Sequence, residues 1–132
     1  MNIALKLYLL LTLCTYSGCG GNKKKTHEVR HSEVIYHDTL INLGKIGEKD
    51  SAEMSFGISC TSDVPFVVHK VQPTCGCTIA EKPKTCSKGD TVYISATFDP
   101  TGQEGLITKS ILVYGNTKPK LRILKYEAFV IK

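Results

Sequence analysis

From Glu33 onward, apolar and polar residues alternate with a period of two rather than 3.6. Residues 51–60 alternate without a break. Ala52, Met54, Phe56, Ile58 and Cys60 fall on one side, and Ser51, Glu53, Ser55, Gly57 and Ser59 on the other. Residues two apart in a strand share a face, so this stretch predicts a half-buried strand with Cys60 pointing inward. Residues 91–98 repeat the pattern, with Val92, Ile94, Ala96 and Phe98 inward. Further strands are predicted over residues 34–43, 65–71, 77–81, 108–114 and 121–131. Turn-forming residues divide them: Gly44 and Gly47, Thr61-Ser62-Asp63, Lys88-Gly89-Asp90, Asp99-Pro100-Thr101-Gly102, and Gly115-Asn116. The alternation slips near Ile123-Leu124, which predicts a β-bulge there. No segment carries a helical stripe. Seven short strands with frequent turns predict an all-β protein, a β-sandwich.

The start of the chain follows another pattern. Residues 1–18 read as an export signal: Lys6 supplies the positive end, residues 7–14 the apolar core, and Ser17-Gly18 the small residues before Cys19. The apolar run is too short for a membrane-spanning helix, which needs about 20 residues. Tyr16-Ser17-Gly18-Cys19 resembles a bacterial lipobox, although Tyr16 stands where that motif usually has an aliphatic residue. The resemblance implies cleavage before Cys19 and acylation of its thiol. Residues 19–32 are polar and aperiodic, and read as a flexible tether to a domain spanning residues 33–132.

Composition sharpens this picture without redirecting it. The 132 residues suit one domain, and 42% hydrophobic with 22% charged residues is ordinary for a globular chain. The net charge is +5, falling to +4 if the signal leaves with Lys6, since 16 basic residues then face 12 acidic ones. Basic residues are not interleaved with aromatics on any face, so nucleic acid is not an expected partner. Six cysteines in so small a chain point to an oxidising compartment. The place after Cys19 is basic, with Lys23-Lys24-Lys25, which favours a periplasm-facing attachment. The expected location is therefore the bacterial envelope, with the membrane held through lipid and an envelope protein as the partner class.

Candidate chemistry centres on Gln72-Pro73-Thr74-Cys75-Gly76-Cys77-Thr78. In an extended strand the Cα atoms of Cys75 and Cys77 would stand roughly 6.6–6.8 Å apart, the upper edge for a disulfide. Gly76 permits the kink that a bridge would need. A bridged pair suits thiol exchange, and two thiolates on one face suit a soft metal such as Cu(I). Against both stand ordinary packing of small residues and separate bridges to different loops. His69, six residues before Cys75, is a candidate to complete a metal site. His37 and His31 are further candidates, although a histidine in a strand is usually a surface or satisfied residue. His27-Glu28-Val29-Arg30-His31 matches the zinc-protease pattern H-E-x-x-H, which needs a buried helix and a further ligand. Its polar flanks do not bury a helix, so the match reads as chance. No Ser-His-Asp order, phosphate-cradling loop or paired carboxylates can be picked out, and no cofactor or catalytic residue is expected.

Four stretches follow one another at family-like spacing. They are Ile41-Asn42-Leu43-Gly44-Lys45-Ile46-Gly47, then Pro73-Thr74-Cys75-Gly76-Cys77-Thr78. Thr97-Phe98-Asp99-Pro100-Thr101-Gly102 and Ile111-Leu112-Val113-Tyr114-Gly115-Asn116 complete the set. Together they resemble the bacterial domain-of-unknown-function 1573 family, immunoglobulin-like domains often found on lipoproteins. The resemblance runs from about Leu40 to Val130 and implies fold and location more than activity. Cys60 stands where that family commonly has a polar residue, and Cys86 where a proline-rich approach to the turn is usual. In an immunoglobulin-type sandwich the second and fifth strands lie antiparallel in one sheet. The end of 51–60 then meets the start of 91–98, which predicts a Cys60–Cys86 disulfide. Cys75 and Cys77 are carried to the opposite pole, to pair with each other or stay reduced. The expected protein is a non-catalytic envelope lipoprotein acting as a binding or structural module. Thiol-redox or copper handling through Cys75 and Cys77 is the alternative, and the zinc protease a remote one.

Overall fold

The computed structural model describes residues 30–132. Eight strands appear among them: β1 (Val34–Tyr36), β2 (Leu40–Gly47), β3 (Ala52–Cys60), β4 (Val68–Pro73), β5 (Thr78–Ala80), β6 (Thr91–Phe98), β7 (Gly105–Gly115) and β8 (Leu121–Ile131). They form two four-stranded sheets, ordered β1-β3-β6-β5 and β2-β8-β7-β4. All pairings are antiparallel except that of β2 with β8. The chain is thus the all-β sandwich that its alternation predicts.

The core lies between the sheets and is built by that alternation. Met54, Phe56, Ile58 and Cys60 of β3 and Ile94, Ala96 and Phe98 of β6 face Ile111 and Val113 of β7 across it. Leu124, Tyr126, Ala128 and Val130 of β8 complete the same layer. Phe98 and Tyr126 meet across the layer with ring centroids 5.2 Å apart.

The predicted strand over residues 34–43 is two strands, because the chain changes sheets between them. β1 pairs with β3, and β2 then pairs with β8 in the other sheet. The parity already records the crossing: Val34 and Tyr36 pack inward at even positions, Ile41 and Leu43 at odd ones. A second inversion brings Ile46 inward, and it comes from a bulge between Asn42 and Lys45. There Gly44 has φ +71°, a conformation that disfavours a side chain, and its N–H donates to Asn42 Oδ1 at 2.8 Å.

The bulge predicted near Ile123-Leu124 is absent. β8 runs in unbroken register with β7 from Leu121 to Val130. Leu121 and Ile123 broke the pattern because they are apolar residues on the solvent side, not because the strand slips. A second irregularity falls instead in β4, between Val68 and Lys70.

Candidate functional site

Cys75 and Cys77 lie outside any strand, in the turn that carries the chain from β4 in one sheet to β5 in the other. Both ends of this crossing are pinned. On the β7 side Thr74 N–H and Thr74 Oγ1 donate to the Ser110 carbonyl at 2.9 and 3.0 Å. On the β6 side the Asp99 N–H donates to the Cys77 carbonyl at 2.9 Å. The turn brings the two Cα atoms to 5.3 Å, and the residues are joined by a disulfide. That spacing lies inside the ordinary range, below the separation of an extended strand. Gly76 forms the tip, where an added Cβ would meet nothing within 4 Å.

Beneath the turn a polar chain links the two sheets. Cys75 Sγ lies 3.3 Å from Thr78 Oγ1, which lies 2.5 Å from the Tyr126 hydroxyl. Thr78 and Tyr126 are both buried, one on β5 and the other on β8. Burial pushes the Tyr126 phenol above its ordinary value, an effect that the Thr78 hydrogen bond partly offsets. The proton therefore stays on Tyr126 near neutral pH, and its hydroxyl is available to donate to Thr78 Oγ1. Sequence reading missed Tyr126. It stands 48 residues from Thr78, and only its inward parity on β8 could have hinted at a partner.

The other disulfide, Cys60–Cys86, sits at the far end of β6, with its Cα atoms 6.1 Å apart. The eight residues of β6 separate the two ends by about 23 Å at strand rise. Cys60 is 3% exposed and Cys86 fully buried. Cys86 exchanges two backbone hydrogen bonds with Phe66, at 2.8 and 3.0 Å. This bridge fastens the irregular segment after β5 to the core.

The candidate histidines do not gather at the cysteine pair. His69 is exposed on β4, with about 13 Å of strand between it and Pro73. His37 follows β1, where its Nε2 lies 2.7 Å from Ser59 Oγ, itself 2.8 Å from Thr91 Oγ1. Gly57 makes room for the ring, since a Cβ there would come within 3.1 Å of His37 Cδ2 and 3.3 Å of Tyr93. Among the described residues, no group of three or more His, Cys, Asp or Glu side chains could hold a metal ion. A bridged Cys75–Cys77 pair also offers no thiolate to copper. Cys19, the export signal and most of the H-E-x-x-H stretch lie outside the described residues; Arg30 and His31 fall in irregular chain before an isolated bridge at Ser32.

The sequence profile of a family described as protein of unknown function, DUF1573, matches residues 34–130. None of the curated proteins matches the chain. Among solved structures, the chain is similar to a protein of unknown function from Porphyromonas gingivalis. That match has 17% identity and a TM-score of 0.68, and covers 82% of this chain and 51% of that one. It is also similar to the ASH/PapD-like domain 7 of human CEP192, with 10% identity, a TM-score of 0.60, and 77% and 87% of the two chains covered. A third likeness is to the Vibrio cholerae VesB protease, at 8% identity and TM-score 0.55, over 78% of this chain and 32% of that one. At such identities the likeness is one of fold. The chain spans about half the length of the Porphyromonas protein and a third of the Vibrio one.

Proposed function

Because the chain belongs to the DUF1573 family, proteins of unknown function, we propose its role from its surface: an envelope lipoprotein whose sandwich docks a protein partner. The observation that carries this reading is the outward face of the β2-β8-β7-β4 sheet. Among the described residues, six of the nine exposed large hydrophobic ones stand there: Leu40, Leu106, Leu121, Ile123, Phe129 and Ile131. A sheet face that meets only water is normally polar. Thr108, Ser110, Lys125 and Glu127 divide the face, and the apolar cluster of Leu106, Phe129 and Ile131 at one end of it marks the interaction surface. Tethering through an acylated Cys19, with the periplasm as the facing compartment, is supported by the leader and by the basic run Lys23-Lys24-Lys25.

Two measurements test the reading. Cys19→Ser should move the full chain from the membrane fraction to the soluble periplasm, because acyl chains are what hold it. Unchanged fractionation, with no lipid mass on the N-terminal peptide, rejects the anchor. A photo-crosslinker at position 106 or 129 should give a discrete protein adduct in cells, and one at position 93 on the other sheet should not. Equal yields from both faces reject the docking surface.

A further inference from the structure

We propose that Cys75–Cys77 is a thiol–disulfide exchange site that takes a pair of cysteines on a partner protein as its substrate. In this scheme Cys75 is the sulfur attacked, Cys77 the resolving thiol, and Thr78 a positioning residue. The scheme needs neither the lipid anchor nor the apolar sheet face, so it stands or falls apart from them.

Three observations converge on it. Access is the first. The pair sits under a glycine tip with open space above it, whereas the other disulfide is sealed in the core. An attacking thiolate must reach a sulfur along the S–S axis, so only the first bridge is open to a protein nucleophile. Asymmetry is the second. Cys77 packs against the hydrophobic core, while Cys75 Sγ lies 3.3 Å from the Thr78 hydroxyl. Burial disfavours a thiolate, and a donated hydrogen bond favours one. Cys75 is thus the sulfur better suited to leave as a thiolate from a mixed disulfide with the partner, and to attack a partner disulfide in the reverse direction. The third is preorganisation. With Tyr126 donating to Thr78 Oγ1, the Thr78 O–H is free to donate to Cys75, and the buried tyrosine holds that direction.

The chemistry balances with the partner's cysteines alone. A partner thiolate attacks Cys75 Sγ and forms a mixed disulfide. The Cys75–Cys77 bond breaks, and its electron pair leaves on Cys77 Sγ, which takes a proton from solvent. The partner's second thiolate then attacks its own sulfur in the mixed disulfide and expels Cys75 as a thiolate that receives the Thr78 hydrogen bond. The partner dithiol has become a disulfide by losing two electrons, and the protein pair has gained them. Run backwards, the same steps reduce a partner disulfide.

The test uses the full chain in detergent with glutathione as the probe, followed by acid quench, alkylation and peptide mass mapping. With reduced glutathione, Cys75 and Cys77 should become labelled at least tenfold faster than Cys60 and Cys86, and the trapped mixed disulfide should lie on Cys75. With oxidised glutathione, the Cys77→Ser chain should form its adduct with a rate–pH midpoint below that of the Cys75→Ser chain. Adding Thr78→Val to Cys77→Ser should raise that midpoint, and Thr78→Ser should restore it. A merely structural Thr78 would leave the midpoint unmoved. Protection of Cys60 and Cys86 in the same samples reports that the domain is folded. If Thr78→Val loses that protection, the comparison of Cys77→Ser with Cys75→Ser decides alone. Equal labelling of both bridges, a mixed disulfide on Cys77, or equal midpoints in the two serine variants would overturn the proposal.

Discussion

The two disulfides join similar residues on one sandwich, and nearly everything about their surroundings differs. Cys60–Cys86 closes a span of 26 residues and is buried at both sulfurs. Cys75–Cys77 closes a span of 2 in a half-exposed turn. On the chain-entropy account, a bridge stabilises by restricting the unfolded chain, and the effect grows with the enclosed loop. That gives roughly 3.5 kcal/mol for the first and roughly 1.5 kcal/mol for the second. A bond that contributes little to stability and lies within reach of solvent can be opened without unfolding its host. The difference separates a bond that holds the fold from one that is free to react.

The largest expected effect comes from the wall beside the open turn. Phe98 ends β6 opposite Thr78, packs on Tyr126 and is fully buried. Phe98→Ala should destabilise the domain by about 3–5 kcal/mol, read from denaturant unfolding. A loss below about 1 kcal/mol would mean that the inner face is wrongly assigned. Next comes the buried bridge itself. Cys60→Ala/Cys86→Ala should lose roughly 3–4 kcal/mol by the same measurement and leave glutathione labelling at Cys75 unchanged. A loss no larger than that from Cys75→Ala/Cys77→Ala would erase the contrast between the two bridges.

The strands and inward residues were legible because alternation is a local signal. Ile58, Cys60, Ile94 and Phe98 could be placed by counting in twos. The sheet change after Tyr36 was also written in the parity, as the inversion between Tyr36 and Ile41, but a continuous reading of residues 34–43 passed over it. Leu121 and Ile123 misled in the opposite sense. A period argument assumes that apolar means inward, and these two face solvent on the outer side of their sheet. The cysteine pair was visible as a motif, whereas the turn that holds it was not. Its pins, Ser110 and Asp99, and its buried neighbour, Tyr126, are brought in by tertiary pairing that spacing does not encode.

A smaller effect probes the link under the open pair. Thr78→Val removes the partner of a buried tyrosine hydroxyl, and should lower stability by about 1–3 kcal/mol, with Thr78→Ser retaining most of it. Equal stability for the two would show that the hydrogen bond carries no weight.

The smallest effect is a pH dependence in the neighbouring turn. Asp99 Oδ1 accepts from Thr101 Oγ1 at 2.7 Å and from Thr101 N–H at 3.0 Å, and these bonds hold its carboxyl below the ordinary value of 3.8. The unfolded chain therefore binds this proton more readily than the folded one. The stabilisation is complete above the ordinary carboxyl range and is lost as pH falls through the lowered folded value. Asp99→Asn should flatten that part of an acid-unfolding curve. An unchanged acid limb would remove Asp99 from the account.

The contrast between the bridges is tested most directly by equilibrating the full chain across graded ratios of reduced to oxidised glutathione and reading each cysteine's state by mass. The account predicts two separate steps. Cys75 and Cys77 become thiols first, while Cys60–Cys86 stays closed and the circular dichroism of the sandwich is unchanged. A single step in which both bridges open together with loss of structure would contradict it, as would reduction of Cys60–Cys86 ahead of Cys75–Cys77.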